Sequence, residues 1–261
     1  MMKIITRVFL GLLCGVLLYS TAMYGYVWLK MRPLTPLIPP SQLQSYSQRP
    51  PLHMIHAVNS VRRAQAKEKH YDGFEIDIFH KDGKLMAAHD AASLTAAPEL
   101  EQIFAALKHP ETKTFWLDLK IDLTQEDINT LKLLAKKYHI HPRKMLFEVA
   151  LGPTADLLTE NSFPLLLQLP DGFHQDEGNV EKRQQLNAQL EETLLKYQPL
   201  AVVGSFGKYP YLQAYFPHYN KAIYSSTTVR PSLKKYFLTR ALFADPSVLI
   251  WMQDEYTDLP F

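Results

Sequence analysis

The sequence predicts an α/β fold, a (β/α)8 barrel preceded by a single N-terminal transmembrane helix. Three observations support it: eight short apolar runs, helical patterns between them, and a long uncharged stretch near the N-terminus. Strands that alternate with helices form either a closed barrel or a doubly wound open sheet. The open sheet often carries a Gly-rich phosphate turn, and no G-x-G-x-x-G motif occurs here, so the barrel is favoured.

The strands are predicted from short apolar runs, and this number of them is typical of a TIM barrel. They are residues 52–58, 73–79, 113–120, 145–150, 164–169, 200–206, 221–226 and 247–253. The amphipathic stretches 124–140, 179–197 and 231–243 predict helices. The KDGK segment at 81–84 predicts a hairpin turn that joins strand 73–79 to a further short strand.

The first 32 residues predict a signal anchor, a single-pass helix that holds the following domain at the periplasmic or extracytoplasmic side. Residues Val8 to Leu29 carry no charge and exceed the roughly 20 residues that a bilayer requires. A cleaved signal peptide is the alternative, because Ser20 and Ala22 are small residues at plausible cleavage positions. The uncleaved anchor is favoured since the apolar run continues past them. The flanking charges and interfacial aromatic residues are Lys3, Arg7, Lys30, Arg32, Tyr24, Tyr26 and Trp28.

The remaining sequence predicts a linker and one globular domain. Residues 33–51 are rich in proline, and Arg49 is their only charge, which predicts a stiff spacer. Residues 52–261 form the predicted barrel domain. Residues 1–32 hold four basic and no acidic residues, so 24 basic and 26 acidic residues remain for the rest. That balance excludes a nucleic-acid partner, and the single cysteine, Cys14, excludes a disulfide framework.

Carboxylates on two neighbouring strands predict a metal site. Glu75 and Asp77 are two residues apart on one strand and therefore face the same way. Two adjacent carboxylates repel each other unless a cation lies between them, and oxygen ligands suit Mg²⁺ or Ca²⁺. On the next long strand Asp118 can complete the site, while Lys120 can meet an anionic substrate group. The alternative for Glu75 and Asp77 is the solvated acidic face of an edge strand. The alternative for Asp118 and Lys120 is a surface ion pair, which would contribute little to stability.

Two histidines follow strand ends near these carboxylates. His56 ends the first predicted strand, and His89 follows the hairpin. In a barrel, active residues lie at the carboxyl ends of the strands. Two imidazoles there are suited to general acid and base chemistry near neutral pH.

These motifs together resemble the PLC-like phosphodiesterase superfamily, which includes the glycerophosphodiester phosphodiesterases. The superfamily pattern is His-Arg-Gly, Glu-x-Asp, His-Asp and Glu-x-Lys along the first strands. Ala57-Val58 stands here in place of Arg-Gly, and Asp118 in place of the second glutamate. The motifs His-x-x-Asn and Asp-x-Lys found here are more similar to those of the menorin and sphingomyelinase-D-like branches. The residues that match the superfamily pattern are His56, Glu75, Asp77, His89 and Lys120. Those that fit the variant pattern are His56, Asn59, Glu75, Asp77, Asp118 and Lys120.

The resemblance implies a membrane-anchored, metal-dependent phosphoric diester hydrolase. It implies Mg²⁺ or Ca²⁺ held by Glu75, Asp77 and Asp118, with His56 and His89 as the acid–base pair. Its substrate would be a glycerophosphodiester or a (lyso)phospholipid head group, attacked by water or by a neighbouring substrate hydroxyl. The predicted substrate-binding residues are Lys120, Asn59, Glu148 and Trp251. The alternative is a catalytically inactive, menorin-like barrel that serves as an anchored binding or scaffold module.

Overall fold

The sheet closes into a ring of eight parallel strands. The computed structural model describes residues 2–31, 50–149, 152–169, 180–217, 219–225 and 233–253. The strands are β1 Leu52–Ile55, β2 Gly73–Lys81, β3 Lys84–Ala87, β4 Thr114–Leu119, β5 Met145–Val149, β6 Leu165–Gln168, β7 Ala201–Ser205, β8 Lys221–Tyr224 and β9 Val248–Gln253. Their order is β1-β9-β8-β7-β6-β5-β4-β2-β3, and β1 also pairs with β2, which closes the ring. The predicted TIM barrel is confirmed.

One helix, α1, precedes the barrel, and the helices after it follow strands and cover the outside of the ring. They are α1 Met2–Lys30, α2 Val61–Lys67, α3 Leu100–Ala106, α4 Gln125–Lys137, α5 Pro153–Glu160, α6 Val180–Tyr197, α7 Tyr209–Tyr215 and α8 Leu233–Ala244. The three helices predicted from periodicity correspond to α4, α6 and α8. In α4 a capping box between Thr124 and Asp127 satisfies free N–H groups of the first turn, which explains why the helix begins there.

Strand β2 shows how the side chains divide between the two faces of the ring. Phe74, Ile76 and Ile78 are buried in the layer between strands and helices. Glu75 and Asp77 alternate with them and therefore point into the barrel. Deeper in the barrel the interior is apolar, and its members include Met54, Trp116, Leu146, Leu166, Val203, Ala222 and Met252. The carboxylates therefore lie above a layer of apolar side chains in the barrel interior.

The predicted hairpin is also present. Asp82 and Gly83 have φ angles of +52° and +76°, the backbone that a two-residue Asp-Gly turn adopts. Strand β3 pairs antiparallel with β2 outside the ring. The backbone N–H of Ala88 then donates to the carbonyl of Asp77 at 3.0 Å, which brings the chain back beside the carboxyl end of β2.

Helix α1 packs against α7 and α8. Within it, Phe9–Lys30 forms a candidate membrane span of 22 residues with a mean hydropathy of 1.5. Its first part is exposed, whereas Val27 is buried against the helices of the barrel. The predicted linker 33–51 lies outside the described residues, apart from its last two.

Candidate active site

Three carboxylates converge at the carboxyl ends of β2 and β4. Glu75 and Asp77 come from β2, and Asp118 lies directly opposite Asp77 in the register of the two strands. One oxygen from each of the three lies within 4.8 Å of the others. A cluster of carboxylate oxygens is the donor set that Mg²⁺ and Ca²⁺ prefer. The three predicted metal ligands are therefore brought together by the fold.

Glu75 is almost fully enclosed, with 1% of its surface exposed, the same fraction as Asp77. Its Oε2 atom accepts a hydrogen bond from the Ala57 N–H at 2.5 Å, whereas Oε1 is buried without a hydrogen-bond partner among the described residues. Burial, followed by the charge of Asp77, raises the pKa of Glu75 well above its ordinary value. A buried oxygen without a donor is costly, and a bound cation would satisfy it.

A tight turn after β1 supplies the donor to Glu75. The predicted strand 52–58 is too long, because β1 ends at Ile55 and Ala57 has a φ of +57°. This left-handed conformation is uncommon for alanine. It directs two successive N–H groups at one residue: Ala57 donates to the Glu75 side chain, and Val58 donates to the Glu75 carbonyl at 2.8 Å.

Asn59 contacts Asp77 through both ends of its amide. Its Nδ2 donates to Asp77 Oδ2 at 2.5 Å, and the backbone N–H of Asp77 donates to Asn59 Oδ1 at 3.0 Å. The following residue, Ser60, is the N-cap of α2. The sequence predicts a substrate contact for Asn59, whereas the structure shows it orienting a carboxylate.

Lys120 lies between two of the carboxylates. Its Nζ is 3.0 Å from Asp77 Oδ1 and 2.5 Å from Asp118 Oδ2. Burial lowers the pKa of Lys120, but the hydrogen bond and charge of Asp118, with that of Asp77, outweigh it and raise the pKa overall. Desolvation raises the pKa of Asp118 although Lys120 opposes that shift. The ammonium is thus held charged beside the cluster.

Glu148 extends the acidic cluster to β5, the strand that pairs with β4. It pairs with Asp118 in the strand register and is 6% exposed. Its Oε2 accepts a hydrogen bond from Trp116 Nε1 at 2.8 Å. Burial and the charge of Asp118 raise the pKa of Glu148 to about 8. Among the described residues, four acidic groups therefore lie close together beside the Lys120 ammonium, and a divalent cation would offset their mutual repulsion.

The two predicted acid–base histidines occupy different surroundings. His56 Nε2 is 3.7 Å from Glu75 Oε2, and 41% of its side chain is exposed. His89 comes two residues after β3, with its side chain 69% exposed and 3.8 Å from Asp90. The structure therefore connects His56 directly to the carboxylates. It places His89 on the adjoining loop, where the imidazole lies beside its sequence neighbour Asp90 rather than beside the cluster.

Trp251 lies away from the carboxylate cluster, which contradicts the prediction that it binds substrate. Its ring is 4% exposed and packs against the rings of Phe206 and Phe243, each with a centroid distance of 6.0 Å. Phe206 belongs to the layer between the strands and the helices, whereas Phe243, on α8, contacts Trp251 from the rim of that layer and is 42% exposed. Its neighbours Ile250 and Met252 point into the barrel instead. A substrate entering at the carboxyl ends of the strands would not meet Trp251.

Two contributors to the site were missed in the sequence. Trp116 donates to Glu148 from the barrel interior, and Arg63 Nη2 donates to the His56 carbonyl at 3.0 Å. The role of Trp116 could have been predicted, because Trp116 and Asp118 are two residues apart on one strand and therefore face the same way. No sequence signal indicates the second, which depends on the turn after β1.

A cavity of about 910 Å³ lies at the opposite end of the barrel from the carboxylates. Its apolar lining includes Leu52, Leu146 and Leu249, and Lys113 and Arg143 contribute positive charge. Residues at the start of the strands line it, so it contains none of the predicted site residues. The chemistry of the carboxylate cluster, rather than the presence of this cavity, identifies the candidate active site.

No protein-family model matches this sequence, and no curated protein matches it. Among solved structures, a glycerophosphodiester phosphodiesterase from Parabacteroides distasonis ATCC 8503 is 14% identical, with a TM-score of 0.49, and the match covers 79% of this chain and 93% of that one. An N-(5'-phosphoribosyl)anthranilate isomerase from Pyrococcus furiosus is 9% identical, with a TM-score of 0.48 and coverages of 80% and 90%.

A third similar structure is PLC21 from L. pealei, which is 14% identical with a TM-score of 0.35. The match covers 76% of this chain and 33% of that one. None of the three names a menorin or a sphingomyelinase D. At these identities the likeness is one of architecture, which phosphodiesterases and an isomerase share, so the activity must be argued from the site residues.

Proposed function

We propose that this protein is a metal-dependent phosphodiesterase. The observation that carries the proposal is the cluster of Glu75, Asp77 and Asp118 at the carboxyl ends of the barrel strands, with one oxygen of each within 4.8 Å of the others. The buried Glu75 Oε1 without a hydrogen-bond partner fits a cation ligand. Lys120 beside the cluster fits an anionic substrate. The residues present therefore suit Mg²⁺ or Ca²⁺.

The mechanism follows from the charges around the cluster. Glu75, Asp77 and Asp118 would hold a divalent cation, which would supply Lewis-acid stabilisation of the negative charge on a phosphoryl oxygen. Lys120 binds a further phosphoryl oxygen and stabilises the negative charge that develops in the transition state. The Ala57 N–H and Asn59 hold Glu75 and Asp77 in place. The nucleophile is either water or a neighbouring hydroxyl of the substrate.

Proton transfer is assigned to the two histidines. His56 is half-exposed, and its Nε2 lies 3.7 Å from Glu75 Oε2 at the edge of the carboxylate cluster. His89 lies on the loop after β3 and is assigned the complementary transfer. One imidazole removes the proton of the nucleophile and the other donates a proton to the leaving alcohol.

The cellular context is part of the proposal. The span Phe9–Lys30 anchors the barrel, which faces the periplasm or outer space, and the substrates are glycerophosphodiesters or (lyso)phospholipid head groups. The length and apolar composition of α1 support the anchor. The substrate class rests on the motif resemblance and on the combination of carboxylates with one ammonium at the site.

The test is a phosphodiesterase assay of the full chain in detergent with EDTA, Mg²⁺ or Ca²⁺. A panel of glycerophosphodiesters and lysophospholipids is supplied, and products are identified by mass spectrometry, which separates hydrolysis from cyclic phosphate formation. We expect cleavage that requires the metal and falls by about 10²–10⁴-fold in His56→Ala, the range typical of general acid–base catalysis. Glu75→Gln should lose metal-dependent activity.

Matched controls are exposed residues of the same types. His109 is 70% exposed on its side chain, and Glu160 is exposed at the end of α5. His109→Ala and Glu160→Gln should retain activity. Undiminished turnover in both His56→Ala and Glu75→Gln would refute the proposed chemistry.

A second candidate function is an anchored binding or scaffold module without catalysis. The position of Lys120 favours it, because its ammonium already contacts Asp77 and Asp118 and thereby neutralises part of the cluster. Titration with Mg²⁺ or Ca²⁺ separates the candidates. An enzyme site that binds a cation in its folded state gains thermal stability with the added ion, whereas a site neutralised by Lys120 alone shows no shift.

A further inference from the structure

Helix α8 presents a mixed aromatic and basic face to the outside of the barrel. Tyr236 and Phe243 are 50% and 42% exposed, and Arg240 is exposed between them. Residues separated by four and seven positions lie on one side of a helix. Tyrosine rings and basic side chains are residue types that the interface of a membrane accommodates.

The same helix contacts the candidate membrane span. The rings of Tyr24 and Phe237 meet edge to face with centroids 5.5 Å apart. Val27 is 3% exposed and belongs to the same apolar cluster as Leu238 and Leu242 of α8. The last turns of α1 are therefore fixed against α8, and the position of α1 in a bilayer would determine the position of α8.

The length of the span sets the depth of that contact. At 1.5 Å per residue, Phe9–Lys30 is about 33 Å long, close to the roughly 30 Å of a bilayer core. Tyr24 precedes Lys30 by six positions, which is about 9 Å along the axis. The contact with Phe237 would then lie on the acyl side of the head-group boundary, within the depth of about 5–10 Å to which interfacial helices bury their apolar side chains.

The direction of α8 relates this contact to the active site. At the end of α8, Asp245 Oδ2 is 3.8 Å from Nζ of Lys221, the first residue of β8. The helix therefore runs from the carboxyl ends of the strands towards their amino ends. Phe237 is the fifth residue of α8 and thus lies in the half of the helix that is nearer to the carboxylate cluster.

We propose that the Tyr236–Phe243 face of α8 lies in the head-group region of the bilayer that α1 crosses. The occupant of this face is lipid, because α8 adjoins the span directly and its exposed side chains are the kinds that lipid interfaces accommodate. The inference rests on the anchor in the proposed function and adds an orientation to it. The carboxyl ends of the strands would then lie close to the membrane surface, within reach of phosphodiesters in lipid head groups.

The test uses the single cysteine of the chain as an internal reference. Cys14 lies within the span, and an environment-sensitive fluorophore attached to it reports insertion of α1. In a Cys14→Ser background, Tyr236→Cys and Phe243→Cys place the same fluorophore on α8. The matched control is Leu133→Cys, because Leu133 is 67% exposed on α4, which follows a strand four positions from β8 in the ring of eight.

Labelled full-length protein is reconstituted in vesicles of phosphatidylcholine and phosphatidylglycerol, with or without lipids that carry a nitroxide quencher. We expect quenching at position 14, and at positions 236 and 243 at least about twofold more quenching than at 133, because an interfacial helix contacts the lipid and α4 does not. Circular dichroism confirms that each variant is folded, and two label positions on α8 guard against one disruptive substitution.

Two outcomes would contradict different claims. Quenching at 14 with positions 236 and 243 no more quenched than 133 would overturn the bilayer-facing surface and leave the anchor intact. Absence of quenching at 14 would overturn the anchor itself, and with it the orientation that we infer.

Discussion

Asn59 and Asp77 are joined by two hydrogen bonds that connect the turn after β1 to strand β2. The Asn59 amide donates to Asp77 Oδ2 at 2.5 Å and accepts from the Asp77 N–H at 3.0 Å. These contacts fix one carboxylate oxygen and leave Asp77 Oδ1 beside Lys120 at 3.0 Å. Residues that hold a metal ligand in one orientation contribute measurably to metal affinity.

We predict that Asn59→Asp weakens Mg²⁺ or Ca²⁺ binding by about 10–100-fold, the range found for residues that orient metal ligands. The substitution keeps an oxygen that can accept from the Asp77 N–H. It replaces the donor to Asp77 Oδ2 with an acceptor, so two oxygens repel each other there. Calorimetric titration of the full chain in detergent measures the affinity.

The matched control is Asn129→Asp, because Asn129 is exposed on α4 and accepts a hydrogen bond from Gln125 there. It adds the same charge far from the cluster and should leave the affinity unchanged. Equal affinities in Asn59→Asp and Asn129→Asp would show that Asn59 does not orient Asp77 for a metal.

The barrel and its carboxylates could be predicted because some strands alternate strictly. In β2 the apolar and acidic residues take turns, so the faces of Glu75 and Asp77 follow from a period of two. Strand β9 is apolar at nearly every position, as is usual for strands buried on both faces. Its sequence therefore carries no information on which face Trp251 takes, and the predicted role at the barrel mouth was wrong.

The end of β1 could not be predicted for a different reason. Nothing in the residue type of Ala57 indicates a φ of +57°, since glycine or asparagine is usual there. The conformation is set by tertiary contacts, namely the hydrogen bonds from Ala57 and Val58 to Glu75. Asn59 was noticed in the sequence for its motif, but its contact with Asp77 depends on this same turn.

We predict that Ala57→Pro destabilises the fold by about 3 kcal/mol or more, whereas Ala57→Gly retains its stability. Proline cannot adopt a positive φ, and it lacks the N–H that donates to the buried Glu75. Glycine adopts this φ freely and keeps the N–H. Urea unfolding monitored by tryptophan fluorescence measures both changes. Equal stability of Ala57→Pro and the parent chain would contradict the described turn.

We predict that Glu75→Gln removes the stabilisation by Mg²⁺ or Ca²⁺ without lowering the free energy of unfolding in EDTA. The buried carboxylate lies near Asp77 and Asp118, and burial and these charges raise its pKa. A neutral amide removes that repulsion but is a poor replacement for a metal-binding carboxylate. At a metal concentration 100 times the Kd, the parent chain should gain about 2.7 kcal/mol.

The control for this prediction is Glu160→Gln, at an exposed position on α5. It should show the same gain from the metal as the parent chain. A metal-induced gain that persists in Glu75→Gln would remove Glu75 from the ligand set.

We expect the free energy of unfolding to rise with pH because Lys221, at the amino end of β8, is buried. Lys221 Nζ donates to Ser247 Oγ at 2.6 Å and to the Tyr219 carbonyl at 2.9 Å, and it lies 3.8 Å from Asp245. Burial outweighs the charge of Asp245 and lowers the pKa of Lys221 from 10.5 to about 8. In the unfolded chain the ordinary value returns.

Between these two pKa values the unfolded chain binds the proton that the folded chain has released, so stability increases with pH there. Below pH 8 both states are protonated and the full penalty remains. We predict that stability of the parent chain relative to Lys221→Met increases by about 3 kcal/mol as pH rises from 7 to 10.5, from 1.36 kcal/mol per pKa unit. Denaturant unfolding at several pH values measures it, with Lys132→Met, at an exposed position of α4, as the control. Parallel pH profiles for the parent chain and Lys221→Met would refute the lowered pKa, because tyrosines and other groups common to both chains cancel in the difference.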